Sequence, residues 1–72
     1  MPKLPALKPR ELVSILLKVG FVQKRQTGSH FIMFNPITKK IAVVPIHTKS
    51  IGKGLLHAII KQAGLTTDEI VK

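Results

Sequence analysis

The sequence predicts a small two-layer α+β domain of order α-β-β-β-α, closed by a short C-terminal helical turn. Three observations carry that reading. Two stretches place apolar residues at helical spacing and each ends at a glycine. Between them lie three short runs rich in β-branched and aromatic residues, separated by Gly and Asn-Pro turns. The chain has 72 residues and 44% hydrophobic content, which suits one marginally stable core rather than a disordered tail. The whole of residues 1–72 is read as one domain.

Residues 1–8, with Pro2 and Pro5 among alternating lysines, read as an extended N-terminal arm, since proline and the residue before it resist an early helix. Pro9 suits a first helical position. Leu12, Ile15, Leu16 and Val19 then recur at helical spacing before Gly20, which predicts a helix over 9–19. Lys8 stands where Ser, Thr or Asp would cap, so this helix gains nothing from its own N-cap side chain. Residues 21–26 and 30–34 flank a Gly turn and read as a β-hairpin, ended by Asn35-Pro36. After the Thr38-Lys39-Lys40 turn, residues 41–44 form a third strand that Pro45 is expected to stop. In the second strand His30, Ile32 and Phe34 point one way, Phe31 and Met33 the other. Both faces are therefore apolar: the helices cover one, and the other either keeps scattered hydrophobes or meets a partner protein. A second helix is expected over 53–63, with Leu56, Ile59, Ile60 and Ala63 buried and Gly64 as its stop. Thr66-Thr67-Asp68-Glu69 matches a capping box for a last helical turn.

Charge narrows the function classes. Twelve Lys and Arg against three Asp and Glu leave a net +9, which calls for nucleic acid or an acidic protein as partner. The absence of Cys excludes a disulfide framework, a thiol nucleophile and a Cys-based zinc site. His30, His47 and His57 are too scattered to suggest a metal cluster, and no cofactor is expected. No apolar run approaches the roughly 18 residues of a membrane span, and Met1-Pro2-Lys3 does not open a signal peptide, so a soluble, cytoplasmic protein is expected. Three Phe with no Trp or Tyr weaken any model of bases stacked on an aromatic platform.

The chemistry concentrates at Thr27-Gly28-Ser29-His30-Phe31. A Gly turn followed by a small hydroxyl residue sets His30 at the mouth of a strand, where it is both held and accessible. Histidine is the residue type whose ordinary pKa of about 6.5 lets it take and give a proton near neutrality. Cations surround it in sequence: Lys24 and Arg25 before the turn, then Lys39, Lys40, Lys49 and Lys53. A proton shuttle among phosphate-binding groups points to RNA cleavage, in which a base activates a ribose 2′-hydroxyl and cations stabilise the charge on phosphorus. The competing reading makes His30 an ordinary strand residue. His47 could bind phosphate, assist His30 or cap the next helix, and His57, spaced with Lys53 and Lys61, reads as a solvated helix face.

The segments RQTGSHFIMF (25–34), VVPIH (43–47) and GKGLLHAIIKQAGLTTDEI (52–70), with VGFV (19–22) closing the first helix, resemble the HicA, or YcfA-like, mRNA interferase toxins. The resemblance covers nearly the whole chain and departs at Lys8-Pro9, where many members have Ser-Gly. It implies a fold like that of double-stranded-RNA-binding domains, metal-independent cleavage of mRNA that inhibits translation, and neutralisation by a HicB antitoxin that covers the active site. The family's catalytic histidine is that of Gly-Ser-His, which is His30 here. Lys24, Arg25, Ser29, Lys49 and Lys53 are the candidate RNA-contacting residues. The alternatives are a non-catalytic module of the same fold that only binds RNA, and a small interaction domain for an acidic partner.

Overall fold

The computed structural model describes residues 6–70. Most of the expected arm, residues 1–5, lies outside them. Its inner end is part of the fold, because Leu7 pairs with Ile51 through two backbone hydrogen bonds, with Leu7 as acceptor at 2.6 Å and as donor at 3.4 Å.

Helix α1 spans Pro9–Lys18, with Pro9 at its first position as expected. The Lys8 side chain makes no capping bond, but the start is not bare: the Lys8 amide donates to the Glu11 carboxylate at 2.8 Å. Half of a capping box thus operates from the third helical residue, a signal that lies at Glu11 rather than at Lys8. At the other end Gly20 takes φ +106°, the Phe21 amide reaches the Leu16 carbonyl at 2.9 Å, and Gly20 reaches Leu17 at 3.2 Å. This is a Schellman stop, and it drives Phe21 into the core. The first strand therefore begins one residue later than expected.

Strands β1 (Val22–Thr27), β2 (His30–Phe34) and β3 (Ile41–Pro45) form an antiparallel sheet in the order β1-β2-β3. A bulge between Gln23 and Arg25 leaves Lys24 unpaired. β3 runs one residue past its expected end, and Pro45 pairs with His30. The reason is geometric. The Val43 amide, two residues earlier, points off the sheet edge and donates to the Gln62 side chain at 3.3 Å, so a proline at position 45 deprives the ladder of nothing.

Between β2 and β3 the buried Asn35 organises the connection. Its Oδ1 accepts from the amides of Ile37 (2.9 Å) and Thr38 (3.2 Å), and Lys39 takes φ +65° to close the turn. Helix α2 spans Lys53–Ala63 and ends in a second Schellman stop at Gly64, with Leu65 donating to Ile60 at 3.0 Å. The last turn, α3 (Thr67–Ile70), starts as expected: the Thr66 amide donates to Glu69 at 2.8 Å.

The core joins Leu12 and Leu16 of α1, Leu56, Ile59, Ile60 and Ala63 of α2, and Met33, Ala42 and Val44 of the sheet. Both helices therefore cover the face that carries Met33, as the alternation predicts. The other face keeps Val22 and Ile41 exposed and Ile32, Phe34 and Val43 half-buried. No helix among the described residues is long and apolar enough to cross a membrane.

Candidate active site

The β1–β2 connection is reduced to Gly28 and Ser29. Only Gly28 takes positive φ (+56°), as a tight hairpin turn with glycine in its first central position requires. His30 follows as the first residue of β2 and is exposed. Directly across from it on β3 is Pro45. Past the end of the ladder the Ile46 amide donates to the Ser29 carbonyl at 2.7 Å, which ties the exit of β3 to the hairpin turn. That tie delivers the next residue, His47, to His30: the two ring centroids lie 6.2 Å apart, edge to face at 72°. Two imidazoles separated by 17 positions in the chain thus share one end of the sheet because of strand register.

Beside His30 a recess of about 310 Å³ opens between β3 and α2. Val43 and Pro45 form its floor, and Leu55, Ala58, Ile59 and Gln62 form its helical wall. The Gln62 bond to the Val43 amide holds that wall against the sheet edge and occupies a donor that an edge strand would otherwise expose.

The cations fall into two groups. Arg25 pairs with Ile32 and so lies on the same sheet face as His30. Lys24 reaches over Phe34 on that face, its ammonium 5.2 Å from the ring centroid, a cation–π contact that also shields part of the apolar surface. Lys49 goes elsewhere. It lines a second hollow of about 290 Å³ together with Lys8, Arg10, Thr48, Ile46 and Phe31. Alternation along β2 explains the split, since His30 and its neighbour Phe31 point to opposite faces. Ser29 sits in the exposed turn with its carbonyl occupied, and Lys53 is exposed at the first position of α2. His57 is exposed on α2 and does not line the recess. Lys8 and Arg10 were not among the residues expected at the site. The spacing between the start of α1 and the β3–α2 loop is set only by folding, so no local motif marks them.

Fold and site together define a small cationic α+β domain that holds two imidazoles at the open end of a three-stranded sheet. The chain belongs to the HicA family: the family model described as the HicA toxin of bacterial toxin-antitoxin pairs matches residues 9–65 of the 72. The matched segment includes His30, His47 and all the candidate RNA-contacting residues. No curated protein matches the chain.

Proposed function

We propose that this HicA-family chain is a metal-independent endoribonuclease, the toxin of its pair, which cleaves mRNA in the cytoplasm and so inhibits translation. The observation that carries the reading is an exposed imidazole, His30, held by a tight turn on a sheet face that also bears Arg25 and Lys24. His30 is the catalytic residue, acting as general base on the ribose 2′-hydroxyl or as general acid to the 5′-oxygen. Lys24, Arg25, Ser29, Lys49 and Lys53 contact the RNA, and the cations stabilise the charge on the phosphate. A HicB-like antitoxin is the protein partner, silencing the toxin by covering His30. The chain works as a single domain over residues 1–72.

The test is incubation of the purified wild type and His30→Ala with mRNA in EDTA. Cleavage by the wild type alone, with equal melting temperatures for the two proteins, is the expected result. Equal cleavage by both removes His30 from the chemistry. RNA binding with no cleavage by either favours the second reading, a non-catalytic RNA-binding module, for which the separate cationic hollow around Lys8, Arg10 and Lys49 already supplies a surface. If neither RNA binding nor cleavage is seen, a small interaction domain for an acidic partner remains.

A further inference from the structure

Cleavage of RNA by its own 2′-hydroxyl needs two proton movements. One proton leaves the 2′-oxygen as it attacks phosphorus, and one reaches the 5′-oxygen as it departs. The attacking and leaving oxygens lie roughly in line on opposite sides of the phosphorus. Two separate groups flanking the phosphate therefore serve the reaction without either having to move. A group acts as acid or base within about 3 Å of the atom it serves. Two rings whose centres are 6.2 Å apart can thus each reach one oxygen of a single phosphodiester laid across their exposed side. Both residues are exposed, and the 72° tilt leaves the rings unstacked.

We propose that His47 is the second catalytic residue of this site, the general acid, with His30 as the base; the inference rests on the ribonuclease reading above. The division of roles follows from the recess. His30 lines it and His47 does not. A nucleobase laid on Val43, Pro45, Leu55 and Ala58 brings its own ribose beside His30, so the 2′-hydroxyl of that nucleotide is the one His30 deprotonates. His47 stands outside the recess, on the segment that leaves β3, the side taken by the following nucleotide and its 5′-oxygen. In the step itself the 2′-proton passes to a ring nitrogen of neutral His30 and the 2′-oxygen bonds to phosphorus. The bond from phosphorus to the 5′-oxygen breaks, and protonated His47 gives its proton to that oxygen. A 2′,3′-cyclic phosphate and a free 5′-hydroxyl result, and proton exchange with water resets the pair.

An edge-to-face contact between rings can also be mere packing, worth about 0.5–1.5 kcal/mol. The experiment separates the two by using His47→Phe, which keeps a ring in place but carries no proton, beside His47→Ala. Each variant is assayed on a short oligoribonucleotide and on a nucleoside 3′-(4-nitrophenyl phosphate), whose leaving group departs as a stable anion and needs no acid. Loss of a general acid predicts a fall of about 10²–10⁴-fold in kcat on the oligoribonucleotide and near wild-type rates on the nitrophenyl ester, with unchanged melting temperatures. His30→Ala is expected to lose activity on both substrates. Wild-type rates on the oligoribonucleotide for either His47 variant overturn the proposal, as do equal losses on the two substrates. A wild type that cuts neither substrate overturns the ribonuclease reading itself and this proposal with it.

Discussion

Asn35 is the one buried polar residue among the described residues, and its side-chain oxygen answers two amides of the β2–β3 loop at once. Its removal leaves both amides unanswered in a part-buried turn, so Asn35→Ala is expected to lower stability by about 1–3 kcal/mol, read as a lower denaturant midpoint at unchanged slope. At the neighbouring Gly20 a Cβ would meet the Asn35 side chain at an ordinary contact distance of 3.4 Å, and it is the φ of +106° that resists a side chain there. Gly28 differs: a Cβ meets open space, and only its φ of +56° resists a side chain. Gly28→Ala should therefore cost roughly 1 kcal/mol from backbone strain alone while leaving core packing intact. If cleavage fell much further than folding stability, the turn would be shown to aim His30. Nothing in the residue types of Gly28-Ser29-His30 distinguishes an aimed imidazole from an ordinary strand residue; the distinction lies in what the register sets opposite.

At the scale of elements, the two helix stops were legible because a Schellman motif is local: a glycine at the left-handed position and an apolar residue after it, Gly20-Phe21 and Gly64-Leu65. The start of α1 was half legible. Lys8 is a poor cap in itself, yet Glu11 three positions on answers the free amide, as Glu69 answers that of Thr66. Glu11→Ala is expected to destabilise the protein by about 1 kcal/mol, seen by thermal melting with the helix content of the folded state retained. The strand ends moved for tertiary reasons: Phe21 was drawn into the core, and Pro45 was admitted because its side of β3 faces α2 rather than another strand. Leu56 is fully buried where α2 meets the sheet. Leu56→Ala should cost about 2–5 kcal/mol and leave a 72-residue domain close to unfolding.

For the whole molecule, net charge +9 on so small a surface makes binding to a polyanion a matter of counterion release. On the proposed function, RNA affinity should fall steeply with salt, with a slope of about 0.7 per phosphate contact on single strands. Lys24→Ala, Lys49→Ala and Lys53→Ala should each weaken binding without changing sequence preference. The two cationic groups make a finer expectation: Lys49→Ala should spare short RNAs that reach only the His30 face, and the measurement is affinity against oligonucleotide length. The face bearing His30 also leaves Val22, Ile41 and Leu55 exposed. An acidic antitoxin that buries them and the cations together would silence the site sterically. Co-expression with the neighbouring gene, size exclusion and a ribonuclease assay read this out, and a fully active mixed complex would refute the silencing.

Composition, spacing and turn chemistry settled the element order, the core stripes and the helix stops, because each depends on residues within about one helical turn or one hairpin. The pairing of His30 with His47, the recess under α2, and the parting of Lys49 from the face that holds Lys24 and Arg25 could not be read that way. They follow from strand register and from which face each residue of β2 turns to, and those are fixed only when the helices bury Met33, Ala42 and Val44. A shift of one residue in that register would exchange the two faces and take His30 out of reach of His47.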